Sequence, residues 1–354
     1  MSKFFSSKYD TLTPYTPGEQ PQQKQVIKLN TNENPFPPSP LAQQMARMEA
    51  GELNLYNDPE CRCLNAIAAE KFGVESDELL FTNGSDEILN FAFMAFCDKD
   101  RPAVFADITY GFYPVFASLN GVPYETIPLK DDLSIDVNDY LGTGKTVFIA
   151  NPNAPSGLLL SAADIERIVA SNPDNVVVVD EAYIDFGGES VLPLIHKYDN
   201  LLVCRTFSKS RSMAGARLGF GAGCKALIRD LNTVKYSTNP YNVNRMTMAA
   251  GVGSLCDEAY FEKNRLAVIA TRDRSIERLR ELGYFVTDSK TNFLFTKAPF
   301  IGGKALCLAL REKGIIVRHF DVPRITDYIR VSIGSDEQMD RFFEALEEIR
   351  RERA

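Results

Sequence analysis

The chain has 354 residues, more than a single hydrophobic core usually supports, so one large and one smaller domain are expected. It is 45% hydrophobic and 24% charged, with 39 basic residues against 47 acidic ones and a net charge of −8. That balance, with the basic residues scattered, argues against a nucleic-acid partner, and no apolar run reaches the length of a membrane span.

The first ten residues lack the apolar segment of a signal peptide, so a cytoplasmic protein is expected. Seven cysteines, an odd number without metal-type pairs, read as free thiols in a reducing compartment, and no metal is expected. Residues 13–40 are rich in Pro, Asn and Gln and form an arm without long helix or strand. A helix is expected over Leu41–Met48, then an extended loop to Pro59. A second helix runs from about Glu60 to Lys71 and ends at Gly73.

From there the pattern alternates strand, loop and helix. Short apolar strands are expected at Leu79–Thr82, Ala103–Ala106, Thr146–Ala150, Val176–Val179, Leu201–Cys204 and Leu218–Gly221. Strands apolar on both faces, alternating with helices, predict a mostly parallel mixed sheet covered by helices, an α/β architecture. A long charged helix, Glu258–Leu282, leads out of it. The remainder alternates strands (Phe293–Phe295, Ile315–Val317, Tyr328–Val331) with helices. It ends in an amphipathic helix over Asp336–Arg353, whose apolar stripe is Met339, Phe342, Phe343, Leu346 and Ile349. The expected division is an arm over 1–38, a large domain over 39–260 and a small α+β domain over 261–354.

In open α/β sheets, ligands bind beyond the carboxyl ends of the strands. Here each strand runs into a loop carrying a group useful to one ligand. Gly84-Ser85-Asp86 opens a helix, where backbone N–H groups can hold a phosphate, although the same residues serve as a cap. Tyr110 can lie on a planar ring or pack in the core. Asp180 follows four valines, and a carboxylate at so apolar a strand end is costly unless paired, for example with a protonated pyridine nitrogen. Tyr183 and Asn153 can donate to a ring oxygen. Lys209, after the apolar strand and among Ser208, Ser210 and Arg217, suits a covalent amine beside an anion pocket. Together these describe a pyridoxal 5′-phosphate site.

The loops carrying these groups resemble, from residue 30 to residue 334, the fold-type-I aminotransferases, and within them the histidinol-phosphate aminotransferase family. The matching stretches are Pro14-Tyr15 with Pro17-Gly18-Glu19-Gln20, Asn32-Glu33-Asn34-Pro35, Tyr56 with Asp58-Pro59-Glu60, and Asn83-Gly84-Ser85-Asp86-Glu87. Asp180-Glu181-Ala182-Tyr183-Ile184, Thr206-Phe207-Ser208-Lys209 and Ala214-Gly215 with Arg217-Leu218-Gly219 complete them.

The resemblance implies that Lys209 is the Schiff-base lysine and proton shuttle. It implies Asp180 on the pyridinium nitrogen, Tyr183 on the ring oxygen and Tyr110 stacked on the ring. Gly84, Ser85, Ser208 and Arg217 would hold the phosphate, with Tyr56 reaching in from the other subunit of a homodimer, and Asp86 would also belong to the cofactor-binding set. Arg330, Arg318, Tyr15 and Asn32 would meet the substrates, histidinol phosphate, glutamate and 2-oxoglutarate. The family's Asn-Pro-Thr-Gly appears here as Ala154-Pro155-Ser156-Gly157, so the oxygen-binding asparagine is either lost or supplied by Asn153. The run Ser210-Arg211-Ser212-Met213 also departs from the commonest form. Rival readings are an aromatic-amino-acid aminotransferase, an amino-acid-phosphate decarboxylase of the same fold, and a non-catalytic cofactor-dependent regulator. The last would need a DNA-binding domain for which this acidic chain has no room.

Overall fold

A computed structural model describes residues 2–21 and 26–353. In chain order it begins with β1 (Ile27–Lys28), α1 (Pro40–Glu49), α2 (Arg62–Phe72), β2 (Leu79–Thr82), α3 (Ser85–Phe96), β3 (Ala103–Ala106), α4 (Tyr113–Asn120) and β4 (Tyr124–Ile127). It continues through β5 (Thr146–Ala150), α5 (Ala162–Ser171), β6 (Val177–Asp180), β7 (Leu201–Thr206), β8 (Gly219–Gly223), α6 (Lys225–Thr238), α7 (Arg245–Cys256) and α8 (Glu258–Glu281). The last elements are β9 (Phe285–Val286), β10 (Phe293–Lys297), α9 (Gly303–Glu312), β11 (Ile315–Ile316), β12 (Arg318–His319), β13 (Ile329–Ser332) and α10 (Asp336–Arg353).

Because successive strand residues face opposite sides, an apolar run must be covered twice. That is what happens in the seven-stranded sheet, ordered β2-β8-β7-β6-β5-β3-β4. Val177, Val179, Leu201 and Val203 join one core, with Ile165 and Ile168 of α5. Val178, Leu202 and Cys204 join the other, with Ile88 of α3 and Ile228 of α6. All pairings are parallel except those of β8, which runs antiparallel to both β2 and β7. The result is the fold-type-I architecture: a large mixed sheet between helices, followed by a smaller sheet.

The smaller sheet is antiparallel, ordered β12-β13-β10-β9. Its core takes Leu294, Ile329 and Val331 from the strands and the whole expected stripe of α10, Met339, Phe342, Phe343, Leu346 and Ile349. Each of those side chains contributes about 1.5–3 kcal/mol by burial. Helix α8, 24 residues and roughly 36 Å long, carries Phe261 near one end and Ile276 and Leu279 near the other. The last two join the smaller core.

Three expectations change. The single strand over Ile315–Val317 is two: β11 pairs in parallel with β1 of the arm, while β12 pairs with β13. The lysine strand extends to Thr206. An edge strand, β4, was not legible because most of Tyr124–Ile127 is exposed and carries no apolar run.

Candidate active site

The parallel strands end together, and their loops converge on one cavity. Parallel register makes this happen: Ala150 of β5 lies beside Asp180 of β6, and Asp180 beside Cys204 of β7. A cavity of about 150 Å³ is lined by Ser85, Asp86, Tyr110, Asp180, Tyr183, Ser208, Lys209 and Arg217, among others. It adjoins a cleft of about 400 Å³ whose walls include Tyr15, Asn32, Tyr183, Lys209, Arg318 and Arg330. A wider groove beside α2 and α6, about 580 Å³, gathers no such set; its buried Lys235 is tied to the Pro59 carbonyl.

Asp180 forms the floor. Its Oδ2 accepts from the Tyr113 hydroxyl at 3.2 Å and its Oδ1 from the Ala182 amide at 3.1 Å. Burial raises its pKa to about 7, against the lowering effect of these two donors. A cation placed against it restores the ionised form. Tyr113, itself fully buried and pushed up chiefly by desolvation, was missed in the sequence. The signal was its position three residues after Tyr110, across a turn that brings the two ring centroids within 5.7 Å.

Opposite the floor lies an anion cup. Gly84 has φ +81, and a Cβ there would stand 2.5 Å from Arg217 Nη2, so only glycine lets the guanidinium cover the first turn of α3. A Cβ on Gly219 would stand 2.4 Å from the Ser85 amide. Arg217 Nη1 donates to Ser208 Oγ at 3.3 Å and Nη2 to Asp86 Oδ2 at 3.1 Å. The Tyr110 hydroxyl donates to the other Asp86 oxygen at 2.6 Å. Asp86 therefore aligns Arg217 and Tyr110. The α3 N-terminus, two serine hydroxyls and an arginine suit a phosphate dianion.

Lys209 Nζ lies 5.7 Å from the Tyr183 ring centroid and 3.5 Å from the Thr31 carbonyl. The lysine's own carbonyl accepts from Asn34 Nδ2 at 2.9 Å. Behind it, Asp185 accepts from Ser210 Oγ and pairs with Arg205. So the run after Lys209, which departs from the common pattern, is tied to a partly buried carboxylate.

In the adjoining cleft, Arg330 is flanked by Phe293 and Phe320, each ring centroid 5.3 Å from the guanidinium. Nη2 donates to the Asn30 carbonyl at 3.2 Å, and Nε is buried without a partner. Burial lowers its pKa, with the tyrosines Tyr183 and Tyr15 acting in the opposite sense. Such a guanidinium is poised for a carboxylate or phosphate. Arg318 holds the arm instead, donating to the Thr16 and Pro17 carbonyls at 3.1 and 3.3 Å. Tyr15 stacks on Phe112 at 4.2 Å.

Two candidates are not in this chain's cavity. Asn153 is turned away from it: Nδ2 donates to the Ile108 carbonyl at 3.0 Å and to Ser156 Oγ at 3.1 Å, and Oδ1 accepts from Thr109 at 2.7 Å. Its neighbour Ala154 lines the cavity and has no side-chain donor. The side-chain amide expected at the ring oxygen is therefore missing. Tyr56 is 81% exposed and stacks on Tyr241 at 4.5 Å, outside the cavity of its own chain.

The profile of the family described as "Aminotransferase class I and II" matches residues 24–346. Over 356 residues the chain is 49% identical to the histidinol-phosphate aminotransferase of Aromatoleum aromaticum, covering 99% of this chain and all of that protein. It is 48% identical to that of Brachyspira hyodysenteriae over 351 residues, 99% of each. The crystal structure of histidinol-phosphate aminotransferase from Sinorhizobium meliloti in complex with pyridoxal-5′-phosphate superposes with a TM-score of 0.89 at 25% identity, covering 100% of this chain and 99% of that one.

Proposed function

The chain belongs to the class I and II aminotransferases, and on that premise we propose that it moves an amino group between glutamate and imidazole acetol phosphate, releasing 2-oxoglutarate and histidinol phosphate. The observation that carries this reading is one shared cavity holding an amine, a buried acid and an anion cup. Beside it, a cleft holds a buried arginine with an open Nε.

When bound, pyridoxal phosphate supplies an electron sink conjugated to the substrate's α-carbon. Arg217, Ser208, Gly84, Ser85 and the α3 N-terminus would hold its phosphate, with Asp86 fixing Arg217. Tyr110 would cover the ring, Tyr183 would donate to the ring oxygen, and Asp180 would keep the ring nitrogen protonated. Lys209 would hold the cofactor through Nζ, and the same nitrogen, when free, would take the substrate's α-proton and return it. Arg330 takes the carboxylate of one substrate or the phosphate of the other, since a planar guanidinium matches both. Tyr15, Asn32 and Arg318 close the cleft from the arm side.

The proposed assembly is a homodimer in which Tyr56 completes the phosphate site of the other subunit. Among the described residues no helix is long and apolar enough to cross a membrane, and all seven cysteines are free, which supports a cytoplasmic setting. Side activity on aromatic amino acids is a second reading, favoured by the Tyr15–Phe112 stack and by Phe320 in the cleft wall.

Half-reactions with histidinol phosphate, phenylalanine and glutamate, followed by the bound cofactor's absorbance, test the substrate assignment. Histidinol phosphate and glutamate should react fastest. A markedly faster reaction with phenylalanine replaces the first reading with the second.

A further inference from the structure

The wall of the cavity that carries Tyr183 is poor in donors. The side chains of Ala154 and Pro155 carry none, and Asn153 spends its amide elsewhere. A phenol has one proton to give and lone pairs that accept. Asn32 Nδ2 donates to Tyr183 Oη at 2.9 Å, and among the described residues no acceptor takes the Tyr183 proton. The Tyr183 ring is held by the edge-to-face contact with Phe293, 5.2 Å between centroids.

The direction of that bond is set by Ser332 on β13. Asn32 N–H donates to Ser332 Oγ at 2.7 Å, which frees the serine proton for Asn32 Oδ1 at 3.2 Å. With Oδ1 committed to an acceptor role, Nδ2 is the atom facing Tyr183. The Asn32 carbonyl accepts from Asn292 Nδ2 at 3.0 Å, and the residue sits at φ 55, a conformation asparagine tolerates. Four hydrogen bonds, two from its backbone and two from its side chain, thus fix Asn32 beside one phenol.

We propose that Asn32 is a positioning residue for Tyr183: it occupies the phenol's acceptor side, leaves the phenol proton for the cofactor's ring oxygen, and so lowers the pH at which the Lys209–cofactor linkage loses its proton. The inference rests on the assignment of Tyr183 to that oxygen. A donor to the anionic oxygen favours the form in which no proton on the linkage already neutralises it. Removing the donor, or misdirecting it, therefore raises the midpoint.

The other ionisable groups facing the linkage are Asp180 on the floor, Asp86 and Arg217 at the phosphate end, and Asp107, Arg318 and Arg330 with Tyr15 and Tyr110 towards the cleft. None of them is hydrogen-bonded to the Asn32 side chain, so none loses a direct partner when residue 32 is changed.

The test is a visible-absorbance pH titration of the purified holoenzymes. Asn32→Gly suits the left-handed backbone and deletes the amide; Asn32→Asp keeps the shape but turns the donor into an acceptor that competes for the phenol proton. Asn32→Gly should raise the midpoint by about half a unit to one unit, the size of one neutral hydrogen bond. Asn32→Asp should raise it at least as far, and Tyr183→Phe should raise it too. Adding Asn32→Gly to Tyr183→Phe should change nothing further. The inference is overturned when Tyr183→Phe moves the midpoint and neither Asn32 variant does, or when the Asn32→Gly shift persists without the phenol. An unmoved midpoint in Tyr183→Phe removes the assignment of Tyr183 itself, and the inference with it.

Discussion

The Tyr113 hydroxyl donates to Asp180 Oδ2 at 3.2 Å, in a pocket where both residues are buried. Tyr113→Phe deletes this bond without opening a cavity, so Asp180 should titrate above about 7 in the cofactor-free protein. Cofactor affinity should fall about tenfold, as expected for a hydrogen bond to a charged group. Equilibrium titration with pyridoxal phosphate measures it.

The raised pKa of Asp180 also makes stability depend on pH. An acid raised in the folded state adds stability below its unfolded value, near 3.8, and that contribution is lost as pH rises through about 7. Cofactor-free Asp180→Asn should lack this part of the slope. Melting temperatures of both proteins between pH 4 and 8 check the sign: the wild type should lose more on going alkaline than the variant does.

Arg330→Lys keeps a positive charge but replaces a planar fork between Phe293 and Phe320 by a single ammonium. The expected loss is about 10–100-fold in kcat/KM for both substrates, carried mainly by KM, from one or two charge-assisted hydrogen bonds. Steady-state kinetics with glutamate and histidinol phosphate give the split. A change for only one of them means that the two anions use different arginines.

Asp185 is partly buried beside Arg205, Ser210 and Arg211. Burial pushes its carboxyl up, but Arg205, Ser210, Arg211 and Arg265 together hold it below the usual value of 3.8. Asp185→Ala leaves Arg205 with Glu181 alone, at 3.8 Å, and should cost about 3–5 kcal/mol. A depressed carboxyl stabilises above its unfolded pKa, so the deficit should shrink as pH falls below about 4. Urea unfolding at pH 7 and pH 3.5 compares the two.

Tyr56→Ala and Lys209→Ala should each be nearly inactive, the second by about 10⁴-fold through loss of the proton shuttle. If Tyr56 serves the other subunit, a mixed dimer contains one site lacking both residues and one site lacking neither. Activity should then appear when the two variants are mixed and allowed to exchange subunits. A mixture no more active than its parts removes the assignment of Tyr56 to the other subunit's site.

The sequence by itself determined the sheet and its chemistry-bearing loops. Val177-Val178-Val179 must be covered on both faces, so Asp180 has to emerge at a strand end, and parallel neighbours bring Tyr110 and Lys209 to the same edge. Those features follow from local apolar patterning, which one stretch of chain carries. Tertiary structure decided which of two adjacent residues faces the cofactor, putting Ala154 in the cavity and turning Asn153 to Ile108. It also paired Ile27–Lys28 with Ile315–Ile316, and hung Asn32 from Ser332 so that it meets Tyr183. These depend on contacts between segments up to 300 residues apart, or on the path of a turn, and no local pattern of residues carries that information.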